Sequence, residues 1–165
     1  MKIILSILFI FIVSTSTLSA DSDVDLIQLY KELHLNPELS FKEEKTSKKL
    51  ATILTGLGFE VTENFGGYGV VALLKNGEGK TIMLRADMDG LPIEELTGAP
   101  YASKAKSFNQ VGDEVFTMHA CGHDAHTAML LGAAEVLSTM KNKIKGENTQ
   151  MLHFDIHEVK TTYNA

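Results

Sequence analysis

Met118-His119-Ala120-Cys121-Gly122-His123-Asp124-Ala125-His126 gathers three of the chain's six histidines and its single cysteine. Thiolate and imidazole together suit zinc and other late divalent metals. In an extended segment residues i and i+2 point the same way, so Cys121 and His123 are expected to face one metal, with His119 on that side. A helix is expected to follow, with Asp124 as its N-cap and Met129, Ala133, Val136, Leu137 and Met140 on one apolar face. The partial positive charge at that helix start favours a thiolate, and Gly122 allows a close backbone approach. The bland alternative is a turn whose histidines only form hydrogen bonds. The density of ligand types weighs against it.

Working outward, the nearest upstream feature is Ile82-Met83-Leu84, a continuous apolar run of the kind found in buried strands. It leads into Arg85-Ala86-Asp87-Met88-Asp89-Gly90. Sites in open α/β sheets lie beyond the carboxyl ends of strands, so Asp87 and Asp89 are candidates to orient a metal-bound histidine or to bind metal directly. The competing reading pairs Asp87 with Arg85 or makes it a turn cap. Asp124 or Asp87 is also placed to hold the far nitrogen of a ligating histidine.

Further out, residues 25–35 read as a helix stopped before Pro37. Ser40 reads as an N-cap and Glu43 as its capping-box partner, opening a helix that carries Leu50, Ile53, Leu54 and Leu57 and ends at Gly56 and Gly58. Strands are expected over 59–63, 69–74 and 81–85, with a turn at Gly66-Gly67. Residues 92–113 read as a surface loop. Helices, then strands, then a helix imply an α/β layered domain.

The 165 residues are 44% hydrophobic, enough for one packed domain. The net charge of −6 argues against nucleic-acid binding. Residues 1–20 have the layout of a secretory signal peptide: Lys2, an apolar run over 3–13, then small polar residues with Leu18 and Ala20 at the cleavage positions. The run is too short for an ordinary membrane span. Export to the periplasm or outside the cell is therefore expected, with no membrane attachment after cleavage. In an oxidising compartment a lone Cys121 is expected to be either a buried inert thiol or a metal ligand.

Three stretches together resemble a known family, the metal-dependent amidohydrolases and carboxypeptidases that include hippurate hydrolases, N-acyl-amino-acid amidohydrolases and auxin-conjugate hydrolases. They are Leu33-His34-Leu35-Asn36-Pro37-Glu38-Leu39-Ser40-Phe41, the Arg-Ala-Asp-Met-Asp-Gly-Leu-Pro run from Arg85, and the segment beginning at Met118. The resemblance implies a layered α/β/α zinc-peptidase-like catalytic domain and two divalent ions (zinc, manganese, cobalt or nickel). It makes Cys121 a thiolate ligand bridging the two ions and His123 a terminal ligand. It makes Asp87 and Asp89 supporting acids, and leaves His34, His119 and His126 without a settled role. It implies hydrolysis of the amide bond of N-acyl amino acids or small peptides, with a glutamate as general base.

The likeness is read over 25–146. No Gln-Pro-Ala-Glu-Glu motif follows, so the general base, further ligands and the lid domain through which the family often dimerises are expected to be absent. The expected organisation is a signal peptide over 1–20, the N-terminal part of the catalytic domain over 21–146, and a divergent tail over 147–165 produced by a frameshift or premature stop. The expectation for this chain alone is an inactive fragment. The alternative is a non-catalytic exported metal-binding or interaction module, in which His153, Asp155, His157 and Glu158 of the tail complete a site.

Overall fold

The computed structural model describes residues 24–76, 79–141, 143 and 147–155. The signal peptide expected over 1–20, and His157 and Glu158 of the tail, lie outside the described residues.

Helix α1 (Leu26–Leu35) starts where the sequence places it, because the Asp25 carboxylate accepts the Gln28 N–H at 2.9 Å. It buries Leu29 and Leu33 and stops at Asn36, ahead of Pro37. Helix α2 (Glu44–Gly56) departs from expectation at its start. Ser40 and Glu43 form no capping box, and Glu43 caps with no side-chain hydrogen bond. The carboxylate of Glu38 instead accepts the N–H groups of Thr46 (2.8 Å) and Lys45 (3.3 Å). An ionised acid at a helix N-terminus meets both unpaired donors and favourable charge. Leu50 and Leu54 on α2 are fully buried, and each contributes roughly 1.5–3 kcal/mol of burial energy.

The main sheet has the order β1-β2-β6-β3. Strands β1 (Glu60–Phe65) and β2 (Gly69–Leu74) form an antiparallel hairpin around Gly66 and Gly67. Val70, Ala72 and Leu74 alternate along β2 and are buried, as a strand with one face under helices requires. Strand β3 (Gly79–Asp87) belongs to the same sheet, and β4 (Lys106–Phe108) pairs with β5 (Glu114–Phe116) in a separate two-stranded sheet. Residues 92–113 are therefore not wholly loop. Helix α3 (His123–Met140) packs against α1 and β3. Leu29, Leu33, Leu50, Leu54, Val70, Leu131 and Ala134 make the shared core.

Two further expectations change. Residues 147–155, read as the start of an unrelated tail, form strand β6 (Glu147–Asp155) inside the sheet, antiparallel to β2 and parallel to β3. Its backbone register sets His153 opposite Arg85 and Asp155 opposite Asp87. In the other change, Ile82, Met83 and Leu84 are not buried; they are 50%, 52% and 39% exposed. Among the described residues β3 is an edge strand; Ala86 near its end is buried, as is Met88 just beyond it. An apolar run identifies a strand without saying which of its faces is covered.

Candidate functional site

The three stretches singled out in the sequence converge on Gly90. Its N–H donates to the Glu38 carbonyl at 2.7 Å, and Leu91 exchanges backbone hydrogen bonds with Met118 at 2.8 and 3.0 Å. A Cβ at residue 90 would stand 2.9 Å from Pro37 Cβ, 3.1 Å from Thr117 Cγ2 and 3.3 Å from the Met118 carbonyl oxygen. Only glycine lets the three backbones approach this closely.

From this junction Asp89 reaches His123. Asp89 is buried, and its Oδ1 accepts the His123 Nδ1 proton at 2.8 Å, with the Asp89 carbonyl oxygen also 3.0 Å from that nitrogen. Both partners are acceptors, so Nδ1 carries the hydrogen. The other carboxylate oxygen, Oδ2, accepts from the Ser40 hydroxyl. Asp87 behaves differently. Its carboxylate pairs with Arg85 at 2.6 Å, and its carbonyl accepts from Thr127 Oγ1 at 3.0 Å, fastening α3 to the end of β3. Asp89 is the supporting acid that meets His123.

Helix α3 begins at His123 itself, with Gly122 as N-cap at φ 76°. The expected Asp124 cap and the extended run that was to align Cys121 with His123 are both replaced by a turn at Ala120-Cys121. Gly122 is needed for its left-handed backbone, not for close approach, since nothing lies within 4 Å of a Cβ built there. Cys121 is exposed, which removes the buried-inert-thiol reading. His126 is also exposed, one turn into the helix.

Asp124 instead holds His34. Its Oδ2 lies 2.6 Å from His34 Nδ1, while Glu95 Oε1 lies 3.2 Å from His34 Nε2. A carboxylate at each ring nitrogen favours the doubly protonated, cationic imidazole. Burial opposes that charge, but the hydrogen bonds to Asp124 and Glu95 outweigh it and raise the His34 pKa above its usual value. Tyr30 and Tyr101 enclose the ring at centroid distances of 5.7 and 5.4 Å. Glu95 fell within the stretch read as loop, and no local signal marks it as the partner of a histidine 61 residues away.

His119 is 5% exposed, yet neither ring nitrogen has a hydrogen-bond partner among the described residues. Burial lowers its pKa, against the attraction of Asp124. Buried polar groups are nearly always satisfied, so such a histidine two residues from Cys121 fits a segment built around a ligand. The donor chemistry of Cys121 and His123 fits a late divalent metal in the same way. Among the described residues, no group of three or more histidine, cysteine, aspartate or glutamate side chains is arranged to hold a metal. Among the described residues, then, Cys121 and His123 stand two apart at the helix start as candidate donors, with Asp89 supporting His123.

The mixed sheet with helices packed on it thus carries acids at a strand end and a Cys-Gly-His helix start. The sequence model of peptidase family M20/M25/M40 matches residues 83–156, ten residues beyond Gly146 and through strand β6. The thermostable carboxypeptidase 2 of Saccharolobus solfataricus is 48% identical over 124 residues, 74% of this chain and 29% of that protein. The hippurate hydrolase of Campylobacter jejuni is 48% identical over 109 residues, 66% of this chain and 26% of that protein. Among solved structures, the Bacillus subtilis YXEP protein, described as a dinuclear metal-binding peptidase of the M20 family, superposes with a TM-score of 0.69 at 39% identity. That superposition covers 81% of this chain and 34% of YXEP. The chain belongs to this family of amidohydrolases and carboxypeptidases, and it spans between a quarter and a third of the length of these curated relatives.

Proposed function

We propose that this chain supplies Cys121 and His123 as metal ligands of a hydrolase acting on the amide bond of N-acyl amino acids or small peptides. The observation that carries this reading is the Asp89–His123 hydrogen bond at 2.8 Å. Metal-ligating histidines donate one ring N–H to a carboxylate and coordinate through the other nitrogen, and Asp89 fixes that arrangement. A bound divalent ion supplies Lewis acidity, acidifying a water and polarising the amide carbonyl. Asp89 orients the imidazole, and Cys121 would bring a sulfur donor to the helix start. Relatives named for carboxypeptidase and hippurate hydrolase activity support the substrate class.

The chain by itself we read as catalytically silent. The resemblance assigns the general base to a Pro-Ala-Glu-Glu motif that these 165 residues do not contain, and a general base is worth about 10²- to 10⁴-fold in rate. Metal analysis of the purified protein tests the ligand assignment. Bound zinc, manganese or cobalt is expected to be lost in Cys121→Ala and in His123→Ala. Retention of the ion in both variants would overturn it. Hydrolysis of an N-acyl amino acid by the wild type with added metal, absent in His123→Ala, would overturn the silence.

Export completes the proposal, on the strength of Lys2, the apolar run over 3–13 and the small residues ending at Ala20. The secreted protein is expected to begin at Asp21. Recovery of the intact Met1 form from a secreting host would count against it.

A further inference from the structure

We infer that Ser40 is a positioning residue for His123, acting through Asp89, and that the turn carrying Ser40 is built to aim its hydroxyl. The inference rests on the reading of His123 as a metal ligand only for its consequence. The hydrogen-bonded chain itself stands on its own geometry.

Ser40 Oγ donates to Asp89 Oδ2, and Asp89 Oδ1 accepts from His123 Nδ1 at 2.8 Å. The two bonds use different oxygens of one carboxylate. With both oxygens held, the Asp89 carboxylate is fixed about its last torsion, and the imidazole it meets is fixed in tautomer and tilt. Asp89 is 3% exposed and His123 is 8% exposed, so little water competes for either bond. The link joins residues 49 apart to residues 34 apart, and it makes the segment around Pro37 part of the site rather than a remote element.

The turn bears the marks of a constrained device. Lys42 N–H donates to the Leu39 carbonyl at 2.9 Å, closing a four-residue turn with Ser40 second and Phe41 third. Phe41 adopts φ 64°, a left-handed conformation that glycine or asparagine takes readily and a bulky aromatic does not. Such a conformation persists only where the surroundings over-determine it. Here the Phe41 N–H donates to Oε1 of Glu43, a fully buried carboxyl, at 3.0 Å. The same turn begins at Leu39, which bridges to Gly90, the residue after Asp89. Ser40 is thus held from both sides against the carboxylate. A surface serine needs none of this, and a helix cap would have turned it toward α2.

The test reads the ring nitrogens of His123 by ¹⁵N NMR in the metal-free full chain, with assignment by His123→Gln. The wild type is expected to show a single tautomer with the proton on Nδ1. Ser40→Ala is expected to release it to a mixture of tautomers, and Ser40→Thr, which keeps the hydroxyl, to restore it. If Ser40→Ala fails to fold, Ser40→Thr and Ser40→Val compare side chains of one shape with and without the hydroxyl. An unchanged His123 signal in the hydroxyl-free variants would overturn the inference, as would averaged tautomers in the wild type. In a separate cobalt titration, loss of the Ser40 hydroxyl is expected to weaken binding about 10- to 100-fold, the usual consequence of removing an outer partner of a metal ligand. Failure of the wild type to bind cobalt would count against the ligand reading alone, and the tautomer measurement would still decide the role of Ser40.

Discussion

Gly90→Ala is expected to destabilise the chain by about 2–3 kcal/mol, near the top of the range for forced overpacking. The added methyl would meet Pro37 Cβ at 2.9 Å and the Met118 carbonyl at 3.3 Å. Neither neighbour yields easily. Proline is a rigid ring, and the Met118 carbonyl accepts the Leu91 N–H at 2.8 Å. Relief of the clash must therefore separate the backbones that bring Ser40, Asp89 and His123 together. The internal control is Gly132→Ala. A Cβ there would approach Leu26 Cδ1 at 2.7 Å, the far end of a flexible side chain, and a helical glycine-to-alanine change gains up to about 1 kcal/mol of propensity. Urea denaturation compares the two. A Gly90→Ala midpoint as close to wild type as that of Gly132→Ala would show that the junction is not tight.

Helix α1 and strand β2 fall where Asp25, Pro37 and the Gly66-Gly67 turn place them, because each is bounded by a local signal. The acidic strand end and the Cys-Gly-His helix start were legible as chemistry, since their residue types are rare in that density. What could not be read was competition over distance. Ser40 and Glu43 have the spacing of a capping box, and nothing local reveals that Asp89 and the Phe41 N–H claim their side chains first. Asp124 has the look of a cap, yet it is engaged by His34, 90 residues upstream. The apolar run at Ile82 names a strand but not its neighbours. Residues 147–155 carry no family motif in the sequence reading, yet their backbone pairs on both sides within the sheet.

Glu43→Gln is expected to reshape the pH dependence of stability more than any other single change. Glu43 is fully buried, and burial pushes its carboxyl from 4.5 up to about 7, with the nearby charge of Asp89 adding to the effect. Its Oε2 has no hydrogen-bond partner among the described residues, which suits a protonated acid better than a carboxylate. A raised acid pKa means that the native state binds the proton more tightly than the unfolded chain. Stability from this group therefore falls as pH rises from about 4.5 to about 7 and levels off above. At about 1.36 kcal/mol per pH unit of displacement, the loss reaches up to about 3 kcal/mol. His119 works in the opposite direction. Its lowered pKa makes the native state hold fewer protons, so its contribution improves as pH rises toward 6.5. The wild-type profile mixes the two, and the difference between Glu43→Gln and wild type isolates Glu43. Glutamine keeps an Oε1 acceptor for the Phe41 N–H and cannot ionise, though its extra amide proton costs about 1 kcal/mol if left unpaired. Relative to wild type the variant is expected to be slightly weaker at about pH 5 and about 2 kcal/mol stronger at about pH 8, by urea unfolding. A difference constant across that range would mean that Glu43 titrates like an exposed acid. The Ser40 turn would then rest on a charged side chain, and the burial that holds Phe41 at its left-handed φ would lose its physical basis.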